Sequence, residues 1–465
     1  LNGNRYLETM SNRPNHYIDA HIERFTEELF ALLRIPSVST DSRRKGDVLA
    51  AAEFLKNQFT SIGLEHVTIF ETPGHPIVYG DFLHAPGKPT VLVYGHYDVQ
   101  PAEPLELWTH PAFEPTVVGD DVYARGASDD KGQAYIHVKA IESWLRSEGS
   151  IPVNVKIILE GEEEIGSPNL IPFLTEHRER LACDMVLVSD TSMFDKDVPS
   201  ITYGLRGLAY MQVEVTGANR DLHSGVYGGA VANPINALAG IIAGLKDEHG
   251  RITIPGFYDD VADLTPAERD AYAKLPFDED RYKRELGLHE VTGESGYSTL
   301  ERASARPTLD CNGIWGGYQG EGAKTVLPGK AAAKISMRLV PDQDPHTIAK
   351  RFSDHVRSLA PPGVTVEVHE HHGGMPAVTP LDSIGMKAAA KAFSEVYGKE
   401  PLFTREGGSI PIVAAFKRIL SADTILMGFG LNSDAIHAPN EKFSLTDFRR
   451  GIHTSATFFR ILGDA

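Results

Sequence analysis

Three observations predict an α/β fold interrupted by an insertion. Strand-like and helix-like stretches alternate over residues 17–188, the alternation resumes after residue 382, and the stretch between has its own pattern and a long polar excursion. A sheet alternating with helices is buried between them, and ligand sites in such sheets lie beyond the carboxyl ends of the strands. At 465 residues the chain exceeds one ordinary core, since about 150 residues form a domain. The expected architecture is α/β. Residues 14–204 and 376–465 form a domain with a central mixed sheet flanked by helices, and residues 205–375 form an inserted α+β, ferredoxin-like domain.

From residue 17 to 33, Ile18, Ile22, Phe25, Leu29, Leu32 and Leu33 recur at helical spacing and Pro36 closes the run. A second helix spans 47–62 and ends at Gly63. Strands follow at 66–71, 77–82 and 90–94, then a helix over 131–145, a strand at 153–159, a helix over 168–177 and a strand at 185–188. After Tyr203-Gly204-Leu205-Arg206-Gly207 the pattern changes to strand 208–215, helix 234–245, strand 331–339, helix 345–359 and strand 365–371. Residues 246–306 are polar, acidic and poor in periodicity, as in an elaborated loop or helical excursion. A helix resumes over 382–397, with apolar strands near 410–415 and 424–429 and a last helix over 445–462.

Charge narrows the class. The chain carries 45 basic and 63 acidic residues, a net of −18, without a dense Lys/Arg run, which argues against a nucleic-acid footprint or an anionic membrane surface. No apolar run approaches the ~20 residues of a membrane span. Residues 1–13 lack a charged-then-apolar signal pattern, and residues 1–9 are kept out of the fold reasoning. Cys183 and Cys311 are too few for a disulfide framework and have no metal-type spacing, so a reducing, cytoplasmic setting is expected.

Chemistry-bearing residues gather at strand ends. His96 and Asp98 leave the 90–94 strand on one face, because side chains at i and i+2 of an extended segment point the same way. A ligating imidazole commonly donates its other ring N–H to a carboxylate or carbonyl. Asp129 and Asp130 lie in a Gly-flanked turn before a helix. Glu160, Glu162, Glu163 and Glu164 mass after the next strand, an arrangement that is costly unless a cation or a proton offsets it. Asp190 ends a fourth strand, and His437 follows a late strand and its glycine loop. Together these make a nitrogen and oxygen donor set without thiolate, which suits Zn²⁺, Mn²⁺ or Co²⁺ and is large enough for two metals.

Five ordered motifs carry a family resemblance: Gly-His-Tyr-Asp-Val-Gln-Pro at 95–101, Arg-Gly-Ala-Ser-Asp-Asp-Lys-Gly at 125–132, Glu-Glu-Ile-Gly-Ser at 163–167, Ser-Asp at 189–190 and Ile-His-Ala-Pro-Asn-Glu at 436–441. The chain resembles the M20 family of dinuclear metallopeptidases from about residue 17 to its end. Residues 221–229, 322–328, 338–341 and 405–411 resemble its carnosinase-like dipeptidase branch. The resemblance implies one metal on His96 and Asp190, a second on Glu164 and His437, and Asp129 bridging both, with a cis peptide bond after Asp129. It makes Asp98 the partner of His96 and Glu163 the general base. A divalent cation can lower the pKa of its water towards ~7, so Glu163 takes a proton from the bridging water and delivers it to the leaving amine.

The resemblance also makes the insertion a lid and dimerisation domain. His223 would stabilise the developing oxyanion in a neighbouring subunit's site, implying a homodimer, and Thr325 would accompany it. Arg338, with Ser409, would clamp a substrate carboxylate, a task for which a planar fork of donors is suited. The implied activity is hydrolysis of dipeptides or short peptides with a free C-terminal carboxylate, by an enzyme using two divalent ions, Zn²⁺ first and Mn²⁺ or Co²⁺ as alternatives. The runner-up is an N-acyl amino-acid deacylase. A catalytically silent scaffold would need the ligands but not Glu163. His369-Glu370-His371-His372 is read as an exposed edge or hinge, and the glycines at 317–322 lack the helix and the Lys-Ser/Thr of a phosphate loop.

Overall fold

The computed structural model of the chain describes residues 13–408 and 410–465, so residues 1–9 and Ser409 lie outside the described residues. Helices α1 (Arg13–Leu33) and α2 (Lys45–Ile62) precede strands β1 (Glu65–Phe70), β2 (Ile77–Phe82) and β3 (Thr90–His96). Helix α3 (Lys131–Glu148) and strands β4 (Asn154–Glu160), β5 (Met185–Val188) and β6 (Ser200–Leu205) follow. Next come β7 (Gly207–Thr216), α4 (Pro234–Ala243), β8 (Thr308–Gly316), β9 (Lys330–Leu339), α5 (Pro345–Ser358) and β10 (Thr365–Gly374). The chain closes with α6 (Ile384–Tyr397), β11 (Leu402–Glu406), α7 (Pro411–Leu420), β12 (Asp423–Leu426) and α8 (Leu445–Asp464).

The chain divides into two compact units, one running to Tyr203 and including Thr379–Thr404 and Ala415–Ala465, the other comprising Gly204–Val378 and Arg405–Ala414. The larger unit is built on a mixed sheet of order β1-β2-β4-β3-β5-β12-β6. Its centre is parallel: β3 pairs with β4 and β5, and β5 with β12. Val91, Leu92, Val93, Tyr94, Val186, Leu187 and Val188 are fully buried, which explains their unbroken apolar runs, because helices cover both faces. The register sets His96 opposite Glu160, Tyr94 opposite Val188, and Leu426 opposite Val188. The carboxyl ends of four parallel strands therefore lie side by side, and the chemistry-bearing clusters begin there.

The flanking helices follow from their apolar stripes. In α1, Ile18, Phe25, Leu29, Leu32 and Leu33 are buried, each full burial contributing about 1.5–3 kcal/mol. Helix α2 stops at Gly63, whose φ of 103° lets its N–H turn back onto the carbonyls of Phe59 and Thr60.

The smaller unit is an antiparallel sheet of order β8-β9-β7-β10. Read along the chain, its core is βαββαβ, the ferredoxin-like pattern. Strand β7 alternates buried and half-buried residues, and its buried face packs with Leu238 and Ile241 of α4 and Ile348 and Phe352 of α5. Residues 246–306 hold three short helices, Pro266–Lys274, Glu279–Leu286 and Thr299–Ser304. Two of them start at reciprocal capping boxes, Thr265 with Glu268 and Ser298 with Glu301. The His369–His372 segment lies on β10, an exposed edge strand.

Several elements differ from the expectation, strands β6 and β11 among them, which the expected list lacks. The strand expected near 410–415 is helix α7; Ile412, Val413, Phe416 and Leu420 are buried, a helical spacing that the β-branched pair and the preceding proline disguise. Strand β8 has no counterpart in the expected list, because it is largely exposed and a bulge at Cys311 to Gly313 breaks its alternation. Residues 405–414 group with the insertion, whose expected limits were 205–375.

Candidate active site

His96 is the last residue of β3 and is fully buried. Its Nδ1 lies 3.0 Å from the backbone carbonyl of Asp98 and 3.4 Å from Asp98 Oδ1. Nδ1 is thus the donor, and Nε2, 3.1 Å from Asp129 Oδ1, is left for a ligand. The Asp98 carboxylate does more than face His96. Its oxygens accept the backbone N–H groups of Glu163 and Glu164 at 3.2 and 3.1 Å, tying the ends of β3 and β4 together.

Asp129 stands in a turn locked from below. Glu441 Oε1 accepts the N–H groups of Ser128 and Asp129 at 2.9 and 3.0 Å, and Oε2 accepts those of Gly126 and the Arg125 guanidinium at 2.8 and 2.7 Å. The Asp129–Asp130 peptide bond is cis. Asp130 Oδ2 accepts the His96 N–H at 3.2 Å. A Cβ on Gly95 would stand 2.8 Å from that oxygen, and one on Gly132 1.9 Å from the Ala127 carbonyl, so the turn packs against strand and helix only through glycine.

Two groups of donors share Asp129: His96, Asp129 and Asp190 form one, and Asp129, Glu164 and His437 the other, with ligand atoms within 4.8 Å of one another in each. His437 Nε2 lies 2.8 Å from Asp129 Oδ2 and 3.4 Å from Glu164 Oε2. Glu164 Oε2 also accepts the Gln100 amide at 2.7 Å, while its Oε1 is buried without a hydrogen-bond partner. An orphaned carboxylate oxygen in the second group, and in both groups a nitrogen and oxygen donor set with no thiolate, fit divalent cations.

The charges agree. Burial, reinforced by Glu164, Asp129 and Asp98 against the opposing His96, pushes Glu163 up to about 7. Burial and the neighbouring Asp130 raise Asp190 well above the usual carboxylate range. His437, hydrogen-bonded by Asp129 and Glu164, is pushed up to about 10. Burial favours protonating Asp129, but hydrogen bonds from His437 and His96 hold it well below its ordinary value. Acidic groups crowd here beyond what two imidazoles offset, the condition that bound cations relieve.

Behind Asp190 a buried polar chain links three elements. Ser189 Oγ donates to the Met427 carbonyl at 2.6 Å, so it accepts from His137 Nε2 at 2.7 Å, and His137 Nδ1 lies 2.9 Å from Ser455 Oγ. His137, Glu441, Gln100 and Arg125 were given no role from sequence. Each acts on a group far away in the chain, and only the position of Gln100, Arg125 and Glu441 inside the motifs marked them.

The smaller unit holds His223, Thr325 and Arg338. His223 is exposed, pairs with Val326 across a short two-stranded ladder, and caps the following turn by accepting the Gly225 N–H on Nδ1 at 2.9 Å. Its neutral ring therefore carries its proton on Nε2. The Thr325 carbonyl accepts the Ser224 N–H at 3.1 Å. Arg338 lies on β9 opposite Leu208 and Thr308.

Residues 92–460 match the peptidase family M20/M25/M40. The Cys-Gly metallodipeptidase dug1 of Schizosaccharomyces pombe is 35% identical over 95% of this chain and 96% of its own. The human Beta-Ala-His dipeptidase is 31% identical over 94% of this chain and 86% of its own. Among solved structures, the M20 family metallo-carboxypeptidase Sso-CP2 from Sulfolobus solfataricus superposes with a TM-score of 0.85 at 33% identity, covering 95% of this chain and 99% of that one. The chain belongs to peptidase family M20/M25/M40 and is a metallopeptidase.

Proposed function

We propose that this metallopeptidase hydrolyses the amide bond of dipeptides or short peptides bearing a free C-terminal carboxylate, using two divalent cations. The observation that carries this reading is the pair of donor groups sharing Asp129, with Glu163 beside the ligand Glu164. The dipeptidase names of two full-length relatives support the substrate class. His96 and Asp190 would hold one cation, Glu164 and His437 the other, and Asp129 would contribute to both. When bound, the cations supply Lewis acidity to the scissile carbonyl and the attacking water. Zn²⁺ suits the nitrogen and oxygen set best, with Mn²⁺ and Co²⁺ as alternatives.

This chain's residues do the rest. Asp98 orients His96 and holds the backbone of Glu163 and Glu164. Glu163 takes a proton from water and returns it to the leaving amine. His223, with its proton on Nε2, donates to the developing oxyanion of a partner subunit in a homodimer. Thr325, Arg338 and Ser409 hold the substrate, Arg338 through its carboxylate. The insertion is the lid and dimerisation domain. Free Cys183 and Cys311 support a cytoplasmic setting. Among the described residues, no helix is long and apolar enough to cross a membrane.

A panel of dipeptides, their C-terminal amides, and N-acetyl and N-succinyl amino acids tests the reading. Dipeptides are expected to be turned over and their amides poorly. Turnover of the acylated set alone would make the protein a deacylase.

A further inference from the structure

The excursion at 246–306 has a structural target within its own unit, the loop Arg405 to Gly408 that leads into Ser409. Two arginines join them. Arg405, at the end of β11, donates through Nη2 to Glu268 Oε1 at 2.5 Å, and the other oxygen of Glu268 closes the capping box of helix Pro266–Lys274. Arg206, at the other side, donates through Nε to the Gly407 carbonyl at 3.0 Å, through its backbone N–H to the Glu406 carbonyl at 3.3 Å, and through Nη1 to the carbonyls of Arg302 and Arg306 at 3.4 and 3.2 Å. The loop is packed as well as bonded. A Cβ on Gly407 would stand 2.3 Å from the Ala303 carbonyl and 2.5 Å from Arg206 Nη2, so at this position only glycine lets the loop lie against the excursion.

Arg206 immediately precedes β7, and Leu208 of that strand is in register with Arg338. The excursion therefore braces the loop before Ser409 and the start of the strand that neighbours Arg338. The Arg405–Glu268 pair is only partly exposed, its side chains retaining 15% and 25% of their accessible surface, and it is charge-assisted.

From this geometry we infer that the excursion sets substrate specificity, with Glu268, Arg405 and Arg206 as positioning residues that hold the carboxylate-recognising loop in place. None of the three touches substrate. The inference rests on the reading of Arg338 and Ser409 as a carboxylate clamp.

The test compares wild type, Arg405→Leu, and the charge-reversed double variant Arg405→Glu with Glu268→Arg, on alanylglycine and on its C-terminal amide, with metal content and thermal midpoint measured for each. Arg405→Leu is expected to raise KM for alanylglycine about 10-fold or more, as misplacement of a positioning group does. Its kcat, bound metal and turnover of the amide should stay close to wild type. The double variant should recover most of the KM. A merely structural pair would instead lower the thermal midpoint and impair both substrates alike, and that result, or an unchanged KM, overturns the inference. If wild type itself does not distinguish alanylglycine from its amide, the clamp reading fails and takes this one with it. Glu285→Gln, which removes an exposed pair with Arg281 in the same excursion, should match wild type throughout.

Discussion

The two units present their functional residues in opposite ways. In the larger unit most of the candidate ligands are held by groups from other residues: His96 by Asp98, Asp129 by Glu441, Glu164 by Gln100, and the strand end at Asp190 by Ser189 and His137. In the smaller unit His223 is exposed on a ladder two residues long and holds its orientation by a bond to its own turn. One arrangement ties its groups to several distant parts of the chain. The other leaves an exposed imidazole bonded to its own turn. The contrast teaches that metal binding and turnover should come apart under mutation, the first answering to the larger unit alone and the second to both.

The most severe test is Glu163→Gln. It removes the proposed base and no proposed ligand, so kcat should fall by about 10²- to 10⁴-fold while two metal ions per chain remain by elemental analysis. Retained activity would assign the base elsewhere. Next, His223→Ala should lower kcat by about 10²- to 10³-fold, again without loss of metal. Mixing His223→Ala chains with Glu163→Gln chains sharpens the point: a donor acting across a dimer restores part of the activity in hybrids, and one acting within its own chain restores none.

Glu441→Gln probes the opposite side of the contrast. Glu441 reaches the candidate ligand Asp129 only through the backbone N–H, and its loss removes the charge that gathers three backbone N–H groups and Arg125. Metal affinity measured by competition with a chelator should weaken about 10- to 100-fold, with a fall in activity that excess metal reverses. A change in turnover at saturating metal would mean that the cradle acts on chemistry as well.

The smallest effect belongs to His137. Burial pushes its pKa down to about 3, so the folded state keeps the ring neutral where the unfolded chain, near 6.5, takes a proton. Between about pH 6.5 and 3 the unfolded state binds more protons. Stability therefore rises with pH across that window and is lost as pH falls through it, by up to about 1.4 kcal/mol per pH unit from this group. His137→Gln should have a lower thermal midpoint at pH 7 and a shallower loss between pH 6.5 and 5 than wild type. Parallel curves would show that the ring is not held neutral.

Much of this was legible in the residues because the relevant signals are local. A His two residues from an Asp at the end of an apolar run, and four glutamates after another, announce themselves within a few positions. The parallel register that brings the strand ends before Asp98, Glu164 and Asp190 side by side follows from alternating strands and helices. What stayed hidden depends on partners far apart. Glu441 bonds backbone N–H groups more than 300 residues earlier, and a backbone donor leaves no mark in sequence. Strand β8 lacks an apolar face to alternate, and α7 hides a helical stripe among β-branched residues. The excursion looked featureless because its helices are short and polar; their caps, Thr265 with Glu268 and Ser298 with Glu301, were the readable part.

The clasp between Glu441 and the Asp129 turn bears on how the chain comes into being. Synthesis runs from the amino end, and early parts of a protein begin to fold before later ones emerge. Here the first donor group, His96, Asp129 and Asp190, lies early in the chain, whereas His437 and the carboxylate that clasps the turn follow much later. A chain that has not yet reached His437 and Glu441 thus lacks both the second donor group and the clasp. The second donor group is therefore expected to form only once His437 and Glu441 have been made.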